Sequence, residues 1–337
     1  TAPPVWGRIL SLKPRVEPRH AQGTGSPSAL APLSPQSQKI VFHGYPSELY
    51  EVMTEDGYFL TVNRIPHGRR DRSGIPVLIV HGFCQDGGDW VDNFPDSSLA
   101  FILADAGYDV WLGNNRGNSW SRRHQNLSVD SVEFWDFSFH EMAMYDLPAM
   151  VGFILMQTEQ EKLFYVGHAQ GNTLGFIAFS SLPHLAKKIK LFFALAPVST
   201  LRYARGPVLR TGLLPDVFSR YRRCLCTVNP EIQGRFQQLW TLCISRLDVY
   251  LSHFPDYTSV KNLLHWGQGC SSPSQPTPPF YKIEDMKVPV ALWSGGRDWV
   301  SPPEEHFPEW NHFDYHWGLN APQRLYMQMV TLMNENP

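Results

Sequence analysis

Two hydrophobic periodicities take turns along this chain. Apolar and polar positions alternate across Tyr50-Glu51-Val52-Met53-Thr54 and again across Phe59-Leu60-Thr61-Val62-Asn63, with Glu55-Asp56-Gly57 between them. That pattern predicts a β-hairpin with one buried face. Val77-Leu78-Ile79-Val80 is apolar throughout, as expected of a strand covered on both sides. Further strands are predicted at 109–112, 163–166, 190–195 and 288–293. Helical stretches are predicted at 97–106, closed by Gly107 in a left-handed cap, and at 133–156, with Pro148 opening a new first turn. Two more follow at 172–180 and 322–333. Strands alternating with helices predict an α/β fold, with a mostly parallel sheet covered on both faces.

Two segments break that rhythm. Residues 1–40 are dominated by Pro, Ser, Ala, Gly and Gln, as in Gly23-Thr24-Gly25-Ser26-Pro27. Such a stretch buries too little apolar surface to offset chain entropy, so a disordered tail is expected there, and no signal peptide is visible in it. Between 199 and 279 the alternation disappears into Arg-rich, Trp-bearing pieces and a Pro-rich end. An inserted cap is expected at 199–279, with one core built from 41–198 and 280–337.

Composition narrows the classes. Lys and Arg number 29 against 31 Asp and Glu, a net charge of −2 that gives no bulk attraction to nucleic acid. Hydrophobic residues make up 43% of the chain, enough for a sizeable core. No apolar run approaches the roughly 18 residues of a membrane span, and five cysteines are too few for a disulfide scaffold.

The chemistry concentrates at Val166-Gly167-His168-Ala169-Gln170-Gly171, between a predicted strand and a predicted helix. That placement resembles the nucleophile elbow of α/β-hydrolases, where Gly-x-Ser-x-Gly turns sharply and its glycines admit close packing. His81-Gly82-Phe83 follows the strand at 77–80, where the first oxyanion amide belongs. Asp298, in Trp293-Ser294-Gly295-Gly296-Arg297-Asp298, precedes His312, so the order is elbow, acid, histidine.

Longer stretches are similar to the acid lipases, the family of gastric and lysosomal acid lipase and lipase members K, M and N. They include Gly44-Tyr45-Pro46, Thr54-Glu55-Asp56-Gly57-Tyr58, Asn63-Arg64-Ile65-Pro66, Tyr108-Asp109-Val110-Trp111-Leu112-Gly113-Asn114 and Arg116-Gly117-Asn118. Ser131-Val132-Glu133-Phe134-Trp135, Tyr145-Asp146-Leu147-Pro148, Ser245-Arg246-Leu247-Asp248-Val249-Tyr250 and Trp317-Gly318-Leu319 extend the likeness to the C-terminus. The resemblance implies an α/β-hydrolase core with a helical cap, hydrolysing neutral lipid esters through a Ser-His-Asp triad, without cofactor. It implies a secreted or lysosomal protein. It puts the nucleophile on Ala169, the acid on Asp298, the histidine on His312, and the oxyanion amides on Phe83 and Gln170.

Ala169 has no oxygen, so the acyl-enzyme route is closed and an inactive or severely impaired site is expected. The alternatives are a lipid-binding pseudoenzyme, a chain whose nucleophile was removed deliberately, or a spliced or mispredicted lipase product. The connection between Asp298 and His312 is also short for the family, which implies a missing last strand, its missing helix and an exposed sheet edge. Chain reach still lets the two side chains meet.

Other features carry bland readings. Ser119 and Ser121 are read as loop serines, and His168 as packing within the elbow. His306, His312 and His316 lie near Glu304, Glu305, Glu309 and Asp314, but without metal-ligand spacing, so no metal is expected. The family's cap disulfide leaves Cys224, Cys226 and Cys243 as open choices. Asn126-Leu127-Ser128 is a glycosylation sequon. Arg202, Arg205, Arg210, Arg220, Arg222 and Arg223 are read as a solvated face, with transient lipid-surface contact through the cap as the alternative.

Overall fold

The computed structural model describes residues 34–69, 74–198, 249–250, 252–268, 281–298, 300 and 307–337. The hairpin forms as its alternation requires: β1 (Glu48–Met53) pairs antiparallel with β2 (Tyr58–Ile65), and Gly57 takes φ +95° in the turn. β3 (Pro76–Val80), β4 (Asp109–Gly113), β6 (Leu163–His168), β7 (Ile189–Leu195) and β8 (Val290–Trp293) build the parallel part. The strand order is β1-β2-β4-β3-β6-β7-β8, with the two-residue β5 (Arg123–His124) beside β2. Every residue of β3, β4 and β6 is buried, which explains why those strands lack polar alternation. Successive β3 residues serve opposite faces. Leu78 and Val80 join a core with Trp111, Phe153 and Tyr165, while Val77 and Ile79 join one with Trp90, Phe101 and Tyr326.

Helices cover both faces, and two expectations need correction. The tail does not extend to residue 40. Ser34 caps α1 (Pro35–Phe42) by accepting from the Ser37 amide, and Gln36, Ser37 and Ile40 are buried. A Ser cap followed by Pro at the first helical position outweighs the local polar composition. The Ser37 hydroxyl also accepts from Asn63 Nδ2 at 2.8 Å, which ties the helix to β2. The rest of the tail, residues 1–33, lies outside the described residues. Further on, α2 (Leu99–Asp105) runs into Gly107, whose φ of +97° is the left-handed turn expected there.

The stretch 133–156 is not one helix. A single turn at Glu133–Trp135 stops, and Ser138 restarts the chain through a capping box with Glu141. A wider turn then leads into α3 (Leu147–Thr158), with Pro148 in its first turn.

Most of the expected cap lies outside the described residues, including all three candidate disulfide cysteines. Its described part contains α5 (Val260–Gln268), packed over the start of α4 (Gln170–Ser181). Asn262 Nδ2 and Trp266 Nε1 both donate to Gln170 Oε1, at 3.0 and 2.7 Å.

Among the described residues β8 is the edge strand, and the chain is seen beside it again at Phe307. Phe307 bridges Gly295 in parallel, its amide donating to Ser294 O at 3.1 Å and its carbonyl accepting from Gly296 N at 2.8 Å. The closing helix α6 (Met327–Glu335) buries Met329 and Met333 against the second core.

Candidate active site

The turn between β6 and α4 is tight because two glycines let it be. A Cβ on Gly167 would stand 2.6 Å from Asn172 Oδ1, and one on Gly171 would stand 2.5 Å from the Val80 carbonyl oxygen. Neither distance is available to a side chain, so the helix closes onto β3 only with glycine at both positions. At the apex Ala169 has φ 48° and ψ −112°, a conformation costly for any residue with a Cβ. The surroundings hold it there: the Ala169 amide donates to Leu195 O at 3.1 Å, and Asn172 Nδ2 donates to the same carbonyl at 2.6 Å.

The loop after β3 lies against this apex. A Cβ added to Gly82 would come within 3.1 Å of the Ala169 Cβ, which places Phe83 one residue beyond the point of contact. His81 pins the loop. Its Nε2 accepts from the Asn115 amide at 3.2 Å, so its Nδ1–H donates to Gly82 O at 2.8 Å. Burial holds the His81 imidazole below its usual range, in keeping with that neutral tautomer.

Asp298 and His312 meet despite their short connection. His312 Nδ1 lies 2.8 Å from Asp298 Oδ2, and both residues are buried. The Val300 amide donates to the other carboxylate oxygen at 2.8 Å. Such an orienter fixes an imidazole's ring and tautomer, leaving Nε2 to act as a base.

The segment carrying His312 is bound to the elbow through His168, a residue expected only to pack. His168 Nε2 donates to the His312 carbonyl at 2.8 Å, and the two rings stand 4.9 Å apart. Burial, reinforced by neighbouring His312, pushes the His168 imidazole down to about 3, so the ring is neutral at physiological pH. Gln85 completes the link: its Oε1 accepts from the Gly82 amide at 2.9 Å, and its Nε2 donates to His316 Nε2 at 3.1 Å. Trp90 packs edge-on against His168 and His316. Gln85, Trp90 and His316 were invisible as a group in the sequence, since the bond from Gln85 to His316 alone spans 231 positions.

Other flagged residues have separate partners. The Ser121 hydroxyl is buried, donating to Asn114 O and accepting from Thr61 N. The Ser119 amide and hydroxyl both bind Asp256. His316 serves Gln85, Asp314 accepts from the Asn311 amide, and Glu309 pairs with Arg324. His306, Glu304 and Glu305 lie outside the described residues. Asn126 is exposed.

The chain that carries this elbow, post-β3 loop and hydrogen-bonded Asp–His pair has close sequence relatives. The family model described as alpha/beta hydrolase fold matches residues 75–327, and the partial alpha/beta-hydrolase lipase region matches 36–94. Lipase member M of Mus musculus is 44% identical, over 89% of this chain and 86% of that protein. Lysosomal acid lipase/cholesteryl ester hydrolase of Homo sapiens is 42% identical, over 94% of this chain and 95% of that protein. The chain belongs to the acid lipase family. Gastric triacylglycerol lipase of Mus musculus, 42% identical over 91% of this chain and 94% of its own length, is another member that it resembles.

Solved structures agree on the fold. An esterase from Exiguobacterium antarcticum matches with a TM-score of 0.56 at 13% identity, covering 84% of this chain and 98% of the esterase. A thermophilic esterase from Thermogutta terrifontis gives 0.52 at 16%, covering 85% and 98%. Against the human acid lipase the match runs over 384 positions, more than the 337 residues of this chain, so at least 47 positions of that enzyme have no counterpart here. Among the described residues, no helix is long and apolar enough to cross a membrane.

Proposed function

We propose that this acid-lipase-family protein binds neutral lipid esters or fatty acids and hydrolyses them far below lipase rates, or not at all. One observation carries the reading: the residue at the strained apex of the elbow ends in a methyl group. In this reading Ala169 stands where a lipase has its serine, His312 is the base, Asp298 orients it, and the Phe83 and Gln170 amides form the oxyanion hole. The 2.8 Å contact between His312 and Asp298 supports the pairing. Loss of a triad nucleophile costs about 10⁶-fold in turnover, leaving roughly 10³–10⁴ over water from the oxyanion hole and binding.

Substrate class follows from the relatives, whose names include triacylglycerol lipase and cholesteryl ester hydrolase. Residence in the secretory pathway, as a secreted or lysosomal glycoprotein modified at the exposed Asn126, belongs to the same reading. So does transient contact with a lipid surface through the cap. The test is Ala169→Ser. Hydrolysis of a p-nitrophenyl ester is expected at background level for the natural chain and well above it for the variant. An equally active natural chain overturns the proposal.

A second reading, a spliced or mispredicted lipase product, is favoured by the 47 or more positions of the human enzyme without counterpart. Peptides spanning residues 300–305, sought by mass spectrometry, decide whether a protein of this form is made.

A further inference from the structure

We propose that Asp89, Asp92 and His253 form a binding site for one divalent transition-metal ion of the zinc type, behind the post-β3 loop. One donor atom from each lies within 4.8 Å of the other two. Asp89 is 2% exposed, and neither of its carboxylate oxygens accepts a hydrogen bond among the described residues; His253 Nδ1 stands 3.9 Å from Oδ1, within ion-pair reach but not bonded. A buried carboxylate left in that condition costs several kcal/mol unless it is neutralised or liganded.

The surrounding charges define what fits. Asp86, Asp89 and Asp92 all come from the short turn after β3, and all are 2% exposed. His253 faces them from the segment leading to α5, with Nε2 2.9 Å from Asp92 Oδ2 and Nδ1 3.2 Å from Asp86 Oδ1. Lys39, from α1, also pairs with Asp92, and Trp120 Nε1 donates to Asp86 Oδ2 at 2.6 Å. Gly88 lies close against the set, since a Cβ there would meet Asp86 Oδ1 at 2.7 Å and His253 Cε1 at 3.4 Å. Two carboxylates with one imidazole suit zinc or cobalt and offer a poor set for magnesium or calcium, which favour oxygen ligands.

An incoming M²⁺ takes Asp92 from Lys39, which now pairs with that carboxylate from α1. The no-metal expectation rests on the spacing around His306, His312 and His316; this set is not among those candidates, since His253 lies 161 positions from Asp92 and the two meet only on folding.

The experiment is calorimetric titration of the full chain with Zn²⁺ at pH 7, with Mg²⁺ for contrast. The expected result is saturable binding of one Zn²⁺ per chain, with Mg²⁺ at least about tenfold weaker. Asp89→Asn should weaken binding about 100-fold or more, and Lys39→Met should tighten it. Absence of saturable one-to-one binding overturns the site, as does Zn²⁺ affinity unchanged by Asp89→Asn. Should Asp89→Asn fail to fold, Lys39→Met decides, since unchanged or weaker Zn²⁺ binding in that variant contradicts the proposal.

Discussion

The elbow and the acid–histidine segment approach the same chemistry from opposite directions. Residues 167–171 hold a tight, strained turn closed by glycine packing and by two hydrogen bonds onto Leu195 O, yet the side chain at its apex is a methyl. Asp298 and His312 stand in contact at 2.8 Å, although only 14 positions separate them and, among the described residues, β8 is the edge strand. In the first region the backbone is demanding and the reactive atom is absent. In the second the atoms are present and the connection is short. The difference shows where site geometry is stored. It resides in local anchors (Phe307 on Gly295, the Val300 amide on Asp298, His168 on the His312 carbonyl), so a connector can be brief without separating what it joins.

The sharpest way to break this comparison is in the acid–histidine half. In an Ala169→Ser background, Asp298→Asn should cut the gained esterase kcat by about 10⁴-fold, because the imidazole loses its tautomer and orientation. A loss under tenfold, measured by steady-state kinetics, would show that the contact at 2.8 Å does not orient the base.

The link between the halves gives the next effect. His168 is depressed to about 3 when folded, against an ordinary value near 6.5. A depressed imidazole adds stability that is fully present above the unfolded value and is lost as pH falls from 6.5 toward 3. Across that window the unfolded chain binds a proton that the folded chain refuses, a slope of about 1.4 kcal/mol per pH unit. His168→Gln should flatten the acid limb of urea-unfolding stability by that amount. An unaltered slope contradicts the buried neutral assignment.

The smallest effect concerns the elbow backbone. Ala169→Gly removes the Cβ at φ 48°, a relief of about 1–3 kcal/mol against an entropic cost of roughly 0.5–1 kcal/mol. Net stabilisation of about 1 kcal/mol is expected in chemical denaturation, and destabilisation would mean that the turn carries no strain.

Much of this architecture is legible in the sequence. Runs such as Val77–Val80 announce a doubly covered strand because no polar residue interrupts them, and β3 is buried throughout. Asp298 and His312 were recoverable from order and chain reach. Two local signals were present but outweighed by composition or periodicity: Ser34 before Pro35, and Ser138 with Glu141 three positions on. What the sequence could not reveal was long-range. Gln85 meets His168 and His316 across 83 and 231 positions, and Asp92 meets His253 across 161. No pattern in a linear chain records such meetings, since each follows from how the sheet brings its loops together.

The account turns most directly on covalent labelling at the elbow. A fluorophosphonate probe needs an activated serine hydroxyl, so the natural chain should stay unlabelled in intact-mass measurement while Ala169→Ser takes up one equivalent. Stoichiometric labelling of the natural chain would contradict the claim that its elbow carries no nucleophile.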